Sequence, residues 1–313
     1  MGRTILRRLG SFALTLFVAS LLVFAVLDLL PGNAAAILLG TAARPDTIAA
    51  LEQQLGLDQP GYVRYLAWIV GAFTGDLGRS ATYGVPVGGL IAERLAVTLP
   101  LAALALAIAV ALGVGLGVAA AAGQGRAPDR IASGLAQVGI AVPDFWFGIL
   151  FILLFSTTLH WFSAGGFPSW SDPAAAMKAL LLPALALALP QAAVLTRVTR
   201  SAVLEVAGED FVRTARAKGL SARRVLWRHA VRNALVPIVT IVGLQFSFLV
   251  AGAVLVENVF NLPGIGRLAY QSLAQRDLIV IRNVAMLFAG LVITVNFLVD
   301  LAYLWLDPRL RRA

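Results

Sequence analysis

Nine basic residues, Arg197, Arg200, Arg213, Arg216, Lys218, Arg223, Arg224, Arg228 and Arg232, crowd into one segment of a chain whose other long stretches are almost all apolar. Only Glu205, Glu209 and Asp210 oppose them, so the segment carries nine minus three, or +6, of the chain's formal +9. Such a segment cannot lie in hydrocarbon, and its excess of arginine assigns it to the cytoplasmic side of a membrane, where a soluble partner would touch it. Other chemistry is scarce. The chain has no cysteine, which excludes disulfides, thiolate metal sites and cysteine nucleophiles. Its two histidines, His160 and His229, are too few for a histidine metal site, and an intramembrane serine protease would need Ser and His facing one another inside the membrane, whereas His160 falls near the outer interface and His229 in the basic loop. No Gly-x4-Gly-Lys-[Ser/Thr] phosphate loop is present, so the chain alone is not expected to hydrolyse nucleotide.

The elements that must position the basic segment follow from composition. With 59% hydrophobic residues, 13% charged residues and a mean hydropathy of +0.86, 313 residues fit an all-α polytopic membrane protein. The pI of about 10.9 does not point to nucleic acid, because the basic residues sit in short blocks between apolar spans. Runs of about 20 apolar residues predict six spans, near Leu9–Leu30, Leu95–Gly123, Gly134–Leu159, Ala179–Val198, Ala234–Val256 and Asn283–Leu306. Pro183 and Pro190 interrupt the fourth, which membrane helices tolerate. The basic residues of the amino terminus, the second loop (Arg126, Arg130), the basic segment and the tail (Arg309, Arg311, Arg312) then share one side, which puts both termini in the cytoplasm. Arg267, Arg276 and Arg282 run mildly against that count. The first apolar run is too long for a cleaved signal peptide and is expected to be an uncleaved anchor.

The predicted organisation is a cytoplasmic N-terminus and first span in residues 1–30, an extracytoplasmic segment in 31–94, a core of five spans in 95–307 and a cytoplasmic tail in 308–313. The basic loop, 199–233, lies inside the core. In the outer segment, Thr47 opens one short helix that Gly56 ends, and Gly61–Phe73 forms a second.

Within the basic segment, Leu204, Ala207, Phe211 and Ala215 fall at spacings of three and four, predicting one apolar stripe on a short helix. Gly219 suits the left-handed position after that helix and Ser221 the N-cap of a second one. A helix, turn and helix of this kind could lie on lipid headgroups or enter a groove on a soluble partner. Polar groups inside spans are expensive, which makes Asp144, Gln245, Asn296 and Asp300 candidates either for the pore or for hydrogen bonds between helices. The stretch Glu257–Arg267, with Glu257, Phe260, Pro263 and Gly264, is rich in turn formers yet apolar, and is expected to form a lid at the outer mouth or a lipid-facing turn.

The segment RTARAKGLSARRVLWRHAVRNALVP resembles the EAA loop of bacterial ABC importer permeases, in the form found in the dipeptide, oligopeptide and nickel permease family. PGN after the first span, LGLDQP and GDLGRS in the outer segment, ERLAVTLPLA, ENVFNLPGIGRL and LVDLAYLWLDPRLR follow in the family's order, so the resemblance covers nearly the whole chain. Arg213 and Thr214 stand where Glu and Ala are usual in the wider EAA pattern, and Pro237 lies further downstream than in sugar permeases; both features resemble the peptide branch. The resemblance implies a type I importer-like fold of six spans and a loop that docks into a cleft of an ATPase through Phe211, Arg213, Thr214, Ala215, Ala217, Gly219 and Leu220. It also implies a second homologous permease chain as a heterodimer partner, two ATP-binding subunits that carry ATP and Mg, and an extracytoplasmic solute-binding protein, all at the bacterial inner membrane. This chain itself would bind no cofactor. Transport of short peptides or a related small solute by alternating access is the expected activity. An ion-coupled secondary transporter acting alone, with Asp144, Asn296 and Asp300 as its coupling groups, is the alternative.

Overall fold

The computed structural model describes residues 2–29, 44–54 and 58–306. The PGN motif, the first three residues of LGLDQP and the arginine tail lie outside them. Among the described residues the regular elements are helices: α1 (Gly2–Asp28), α2 (Pro45–Gln54), α3 (Gly61–Thr74), α4 (Val87–Ala122), α5 (Ala127–Ala141), α6 (Asp144–Thr158), α7 (Pro173–Ala207), α8 (Asp210–Ala217), α9 (Ala222–Val259), α10 (Ile265–Ala274) and α11 (Leu278–Leu306). Five are long and apolar enough to cross a membrane, namely α1, α4, α7, α9 and α11, and the pair α5 and α6 makes up to a sixth.

The third expected span is not a straight rod. Pro143 forces the preceding Val142 out of the helical region, to φ −96° and ψ 125°, and the two limbs meet at 98°. The other spans overrun the expected boundaries. α4 begins at Val87, eight residues before Leu95, and α7 extends from Pro173 to Ala207 straight through Pro183 and Pro190. Thr47 lies inside α2 rather than at its cap.

Packing sorts the chain into two units, residues 1–97 with 264–294 and residues 98–263 with 295–313. In the first, Val87, Ile91, Ile265, Leu268, Val280 and Val284 form a buried apolar cluster. Around α3, Trp68 donates to Asn283 Oδ1 at 2.9 Å, Arg282 stacks on Trp68, Tyr65 bonds Ser20 at 2.8 Å and Arg64 pairs with Asp28 at 2.7 Å. Asp277, fully buried, accepts from Ser80 Oγ at 2.5 Å and from the Thr82 and Val280 amides, so GDLGRS is tied to the start of α11.

The second unit is built on α7, with 61% of its apolar window buried against 33% or less in the other long spans. Glycines let its neighbours come close. A methyl group placed on Gly113 would lie 2.7 Å from Leu195 Cβ, one on Gly117 2.5 Å from Thr199 Cβ, and one on Gly139 2.7 Å from Ala193 Cβ. Without a driving force from water, close backbone approach is what holds such helices together. At one end of α7, Val118, Leu195, Val203, Ala230, Ala234 and Ile238 from α4, α7 and α9 form a continuous core.

Candidate functional site

The basic segment folds as the end of one long helix, a short helix and the start of another. α7 stops at Ala207; Gly208 and Glu209 separate it from α8, whose first turn carries Asp210 and whose last carries Arg216, both favourable to the helix dipole. α8 then ends in a Schellman turn. Gly219, at φ +79°, donates from its amide to Arg216 O at 2.9 Å, and Leu220 donates to Ala215 O at 3.4 Å. Nothing lies within 4 Å of where a Gly219 side chain would begin, so the glycine is needed for its left-handed backbone and not for space. Ser221 occupies the cap position of α9 with extended backbone, yet its side chain makes no capping bond.

The expected stripe of Leu204, Ala207, Phe211 and Ala215 does not form. The break at Gly208 resets the helical phase, so Leu204 and Ala207 pack with α7 on the core below, while Val212, Ala215 and Val225 form the small cluster that holds α8, with Val206 and Leu220 against it. Phe211 is turned outward, 45% exposed. Thr214, Ala217 and Gly219 are also exposed, and Arg213 reaches only Asp210, at 3.1 Å between two exposed side chains. α8 therefore has a buried rib of Val212 and Ala215 and a free face of Phe211, Arg213 and Thr214. Short links, Gly208–Glu209 and Lys218–Ser221, join it to the ends of α7 and α9.

Two features of this region escape a reading of the sequence. Arg200, counted there with the basic segment, is spent internally: its Nε and Nη2 meet the Asp129 carboxylate at 2.5 and 2.8 Å, and Asp129 also accepts from the Gly125 amide at 2.8 Å. This pair pins the start of α5 to α7. On another face of α7, Arg197, Ser201 and Glu205 repeat at four-residue spacing and line a cavity of about 530 Å³ with Ile140, Val194 and Pro237. That spacing was available as a signal, since residues four apart share a helix face.

At the far end of α9 the expected lid residues are found inside. Glu257 is fully buried and accepts from Thr98 Oγ1 at 2.6 Å; Phe260 is 2% exposed. Asn261, at φ +52°, and Leu262, donating to Glu257 O at 2.9 Å, close α9 with a second Schellman turn. Phe260 lies against Gly148 and Gly165, and its carbonyl accepts from the Gly166 amide at 2.9 Å. Phe162, Phe167, Lys178, Phe260 and Leu262 border a second cavity of about 530 Å³. Pro263 is half-buried and Gly264 buried.

The four polar candidates do not gather. Asp144 opens α6, half-buried, with its carboxylate accepting from the Phe145 amide at 2.7 Å and packed on Gly252 so closely that a methyl there would collide with it. Gln245, 2% exposed, donates to Gln191 O at 2.7 Å, bracing α7 beside Pro190. Asn296 and Asp300 lie exposed on α11, flanking Val299, which fills the notch at Gly243. Among the described residues no three of His, Cys, Asp and Glu form a metal-ligand set.

Comparison with known proteins places this arrangement. Residues 113–312 match the family described as binding-protein-dependent transport system inner membrane component, and residues 1–102 match the N-terminal region described for the same membrane components. The chain is 43% identical over 312 residues to a peptide transport system permease of Brucella abortus, covering 99% of each. It is 41% identical over 307 residues to the glutathione transport system permease of Escherichia coli, covering 98% of each. The MetNI methionine ABC transporter in an inward-facing form shares the fold, with a TM-score of 0.56 and 17% identity over 70% of this chain and 96% of that one.

Proposed function

Because the chain belongs to the binding-protein-dependent transport system inner membrane components, we propose that α8 is the lever through which an ATP-hydrolysing partner drives it, and that its cargo is a short peptide or a related solute. It is a membrane-embedded permease subunit of an ABC importer. Its complete assembly pairs it with a second homologous permease chain, two subunits that bind ATP and Mg, and an extracytoplasmic binding protein that delivers the solute. Both termini and α8 lie on the cytoplasmic side, by the arginine count. Peptides and glutathione, the solutes named for its relatives, share an amide backbone with charged ends.

The observation that carries the lever is the division of α8 into a buried rib and an exposed face, on a helix joined by short links to two long spans. A partner that grips Phe211, Arg213 and Thr214 moves α7 and α9 with it, and those helices carry the cavity lined by Arg197, Ser201 and Glu205. Closure of the ATPase pair would thereby reach the inner half of the route without any nucleotide site on this chain. The ion-coupled alternative is weakened because Asp144 is packed on Gly252 of α9 while Asn296 and Asp300 lie exposed on α11.

Purification of the tagged chain in mild detergent, followed by reconstitution, tests the proposal. Recovery of an ATPase subunit and uptake that requires ATP and the binding protein are expected; uptake by liposomes containing this chain alone would contradict it.

A further inference from the structure

One face of α7 carries three polar side chains that the rest of the unit leaves unused. Arg197, Ser201 and Glu205 are exposed, and among the described residues none of the three has a side-chain hydrogen bond or ion pair. Their neighbour Arg200 gives the contrast, since it is paired with Asp129. The three line a recess of about 530 Å³ whose walls come from three helices, with Ile140 at the end of α5, Val194 on α7 and Pro237 on α9. Pro237 stands three residues inside the apolar stretch of α9, which begins at Ala234, so the recess reaches membrane depth.

Shape and charge together select what fills it. A partner helix laid across the recess would leave most of its volume empty, which packed interfaces do not tolerate. An acyl chain would bring no partner for either charge, and an anionic headgroup drawn to Arg197 would meet Glu205 in the same recess. Opposite charges at the two ends of a largely apolar recess instead suit a small molecule that itself carries both. Helix geometry gives its length. Arg197 and Glu205 lie eight residues apart in one unbroken helix, about 12 Å along the axis at about 1.5 Å per residue, and both side chains lean toward the helix start, so the separation is kept. Taking off two charged hydrogen bonds of about 2.8 Å leaves roughly 6 to 7 Å. Two extended residues reach about 7 Å, whereas five reach about 17 Å.

We propose that Arg197 and Glu205 hold the carboxylate and the amine of one zwitterionic dipeptide in this recess, with the Ser201 hydroxyl between them beside its amide. The site would thereby select cargo by both ends and by length. The proposal deepens the peptide reading above and rests on it.

The test places the full chain in nanodiscs, without ATP or partner subunits, and photolabels it with the dipeptide alanyl-benzoylphenylalanine. Label mapped by mass spectrometry is expected on α7 between Val194 and Glu205 or beside Pro237. On wild type, alanyl-phenylalanine should compete roughly 10-fold better than its N-acetyl form or its C-terminal amide, about the worth of one charged hydrogen bond. Penta-alanine, whose ends cannot meet both groups, should compete no better than the blocked forms. Glu205→Gln should weaken the free dipeptide roughly 10-fold yet leave the N-acetyl form unchanged, and Arg197→Gln should do the same with the amide form. A residue that only supported the fold would shift all competitors alike. Equal competition by the free dipeptide and the blocked forms or penta-alanine on wild type would overturn the proposal, and so would label outside the recess or none. Competition by glycerophosphoethanolamine as strong as by the dipeptide would overturn it in favour of a lipid headgroup, and loss of label on adding the second permease chain would do so in favour of a protein interface. Failure of ATP-dependent uptake would leave these binding readouts unaffected, so the two proposals fail separately.

Discussion

The turn before α9 and the turn after it use the same backbone device, a left-handed residue followed by an amide that reaches back five residues, at Gly219 and at Asn261. Their surroundings are opposite. Before α9 the neighbouring aromatic, Phe211, is 45% exposed beside exposed Arg213 and Thr214; after α9 the aromatic, Phe260, is 2% exposed with its ring on Gly148, and Glu257 is sealed against Thr98. Sequence alone made the first a candidate for contact with a partner and the second a candidate lid at the outer mouth. Burial separates them: the first offers a surface, and the second holds its own unit together.

The comparison breaks most sharply at Phe260. Phe260→Ala should cost about 3 to 5 kcal/mol, as for large aromatic truncations in cores, and appear as loss of folded protein in a thermal melt in detergent. If Phe260→Ala melts like wild type, the ring is not the internal anchor described. Next in size is Gly117→Leu, for which the Thr199 side chain and Thr196 carbonyl leave no room. It should separate α4 from α7 and reduce the yield of monodisperse protein, whereas Gly115→Leu, with open space around it, should not.

A smaller effect is expected at Gly219. Because space is free there and only φ is demanding, Gly219→Val should cost about 1 to 2 kcal/mol locally and depress uptake, while Gly219→Asn, which tolerates the left-handed region, should retain most of it. Equal loss in both would mean that size, not backbone, matters. Smallest in stability is Phe211→Ala, expected within about 0.5 kcal/mol of wild type in the melt yet impaired in ATPase-driven uptake.

Much of this was legible in the chain. Apolar runs located the spans, because every backbone group in lipid must be satisfied by a helix. Gly219 was found because glycine marks a left-handed position; Asn261 carries a weaker form of that mark, and Arg276, which takes the same conformation, carries none. Span ends were misplaced because α4, α7 and α9 continue as helices beyond the apolar stretch, where hydropathy no longer reports on them. The stripe through Phe211 failed because a 3.6-residue period was carried across Gly208, where the helix ends. The Asp129–Arg200 pair joins residues 71 apart and leaves no local pattern in either segment.

The absence of cysteine from the native sequence permits a direct test of α8 as the partner-facing element. Phe211→Cys, the sole thiol in the chain, would be labelled with a water-soluble maleimide before and after addition of the ATPase subunits. The account predicts ready labelling of the permease alone and strong protection in the complex, with Ala217→Cys as a companion site on the same helix. Undiminished labelling of Phe211→Cys in a complex that still hydrolyses ATP and transports solute would contradict it.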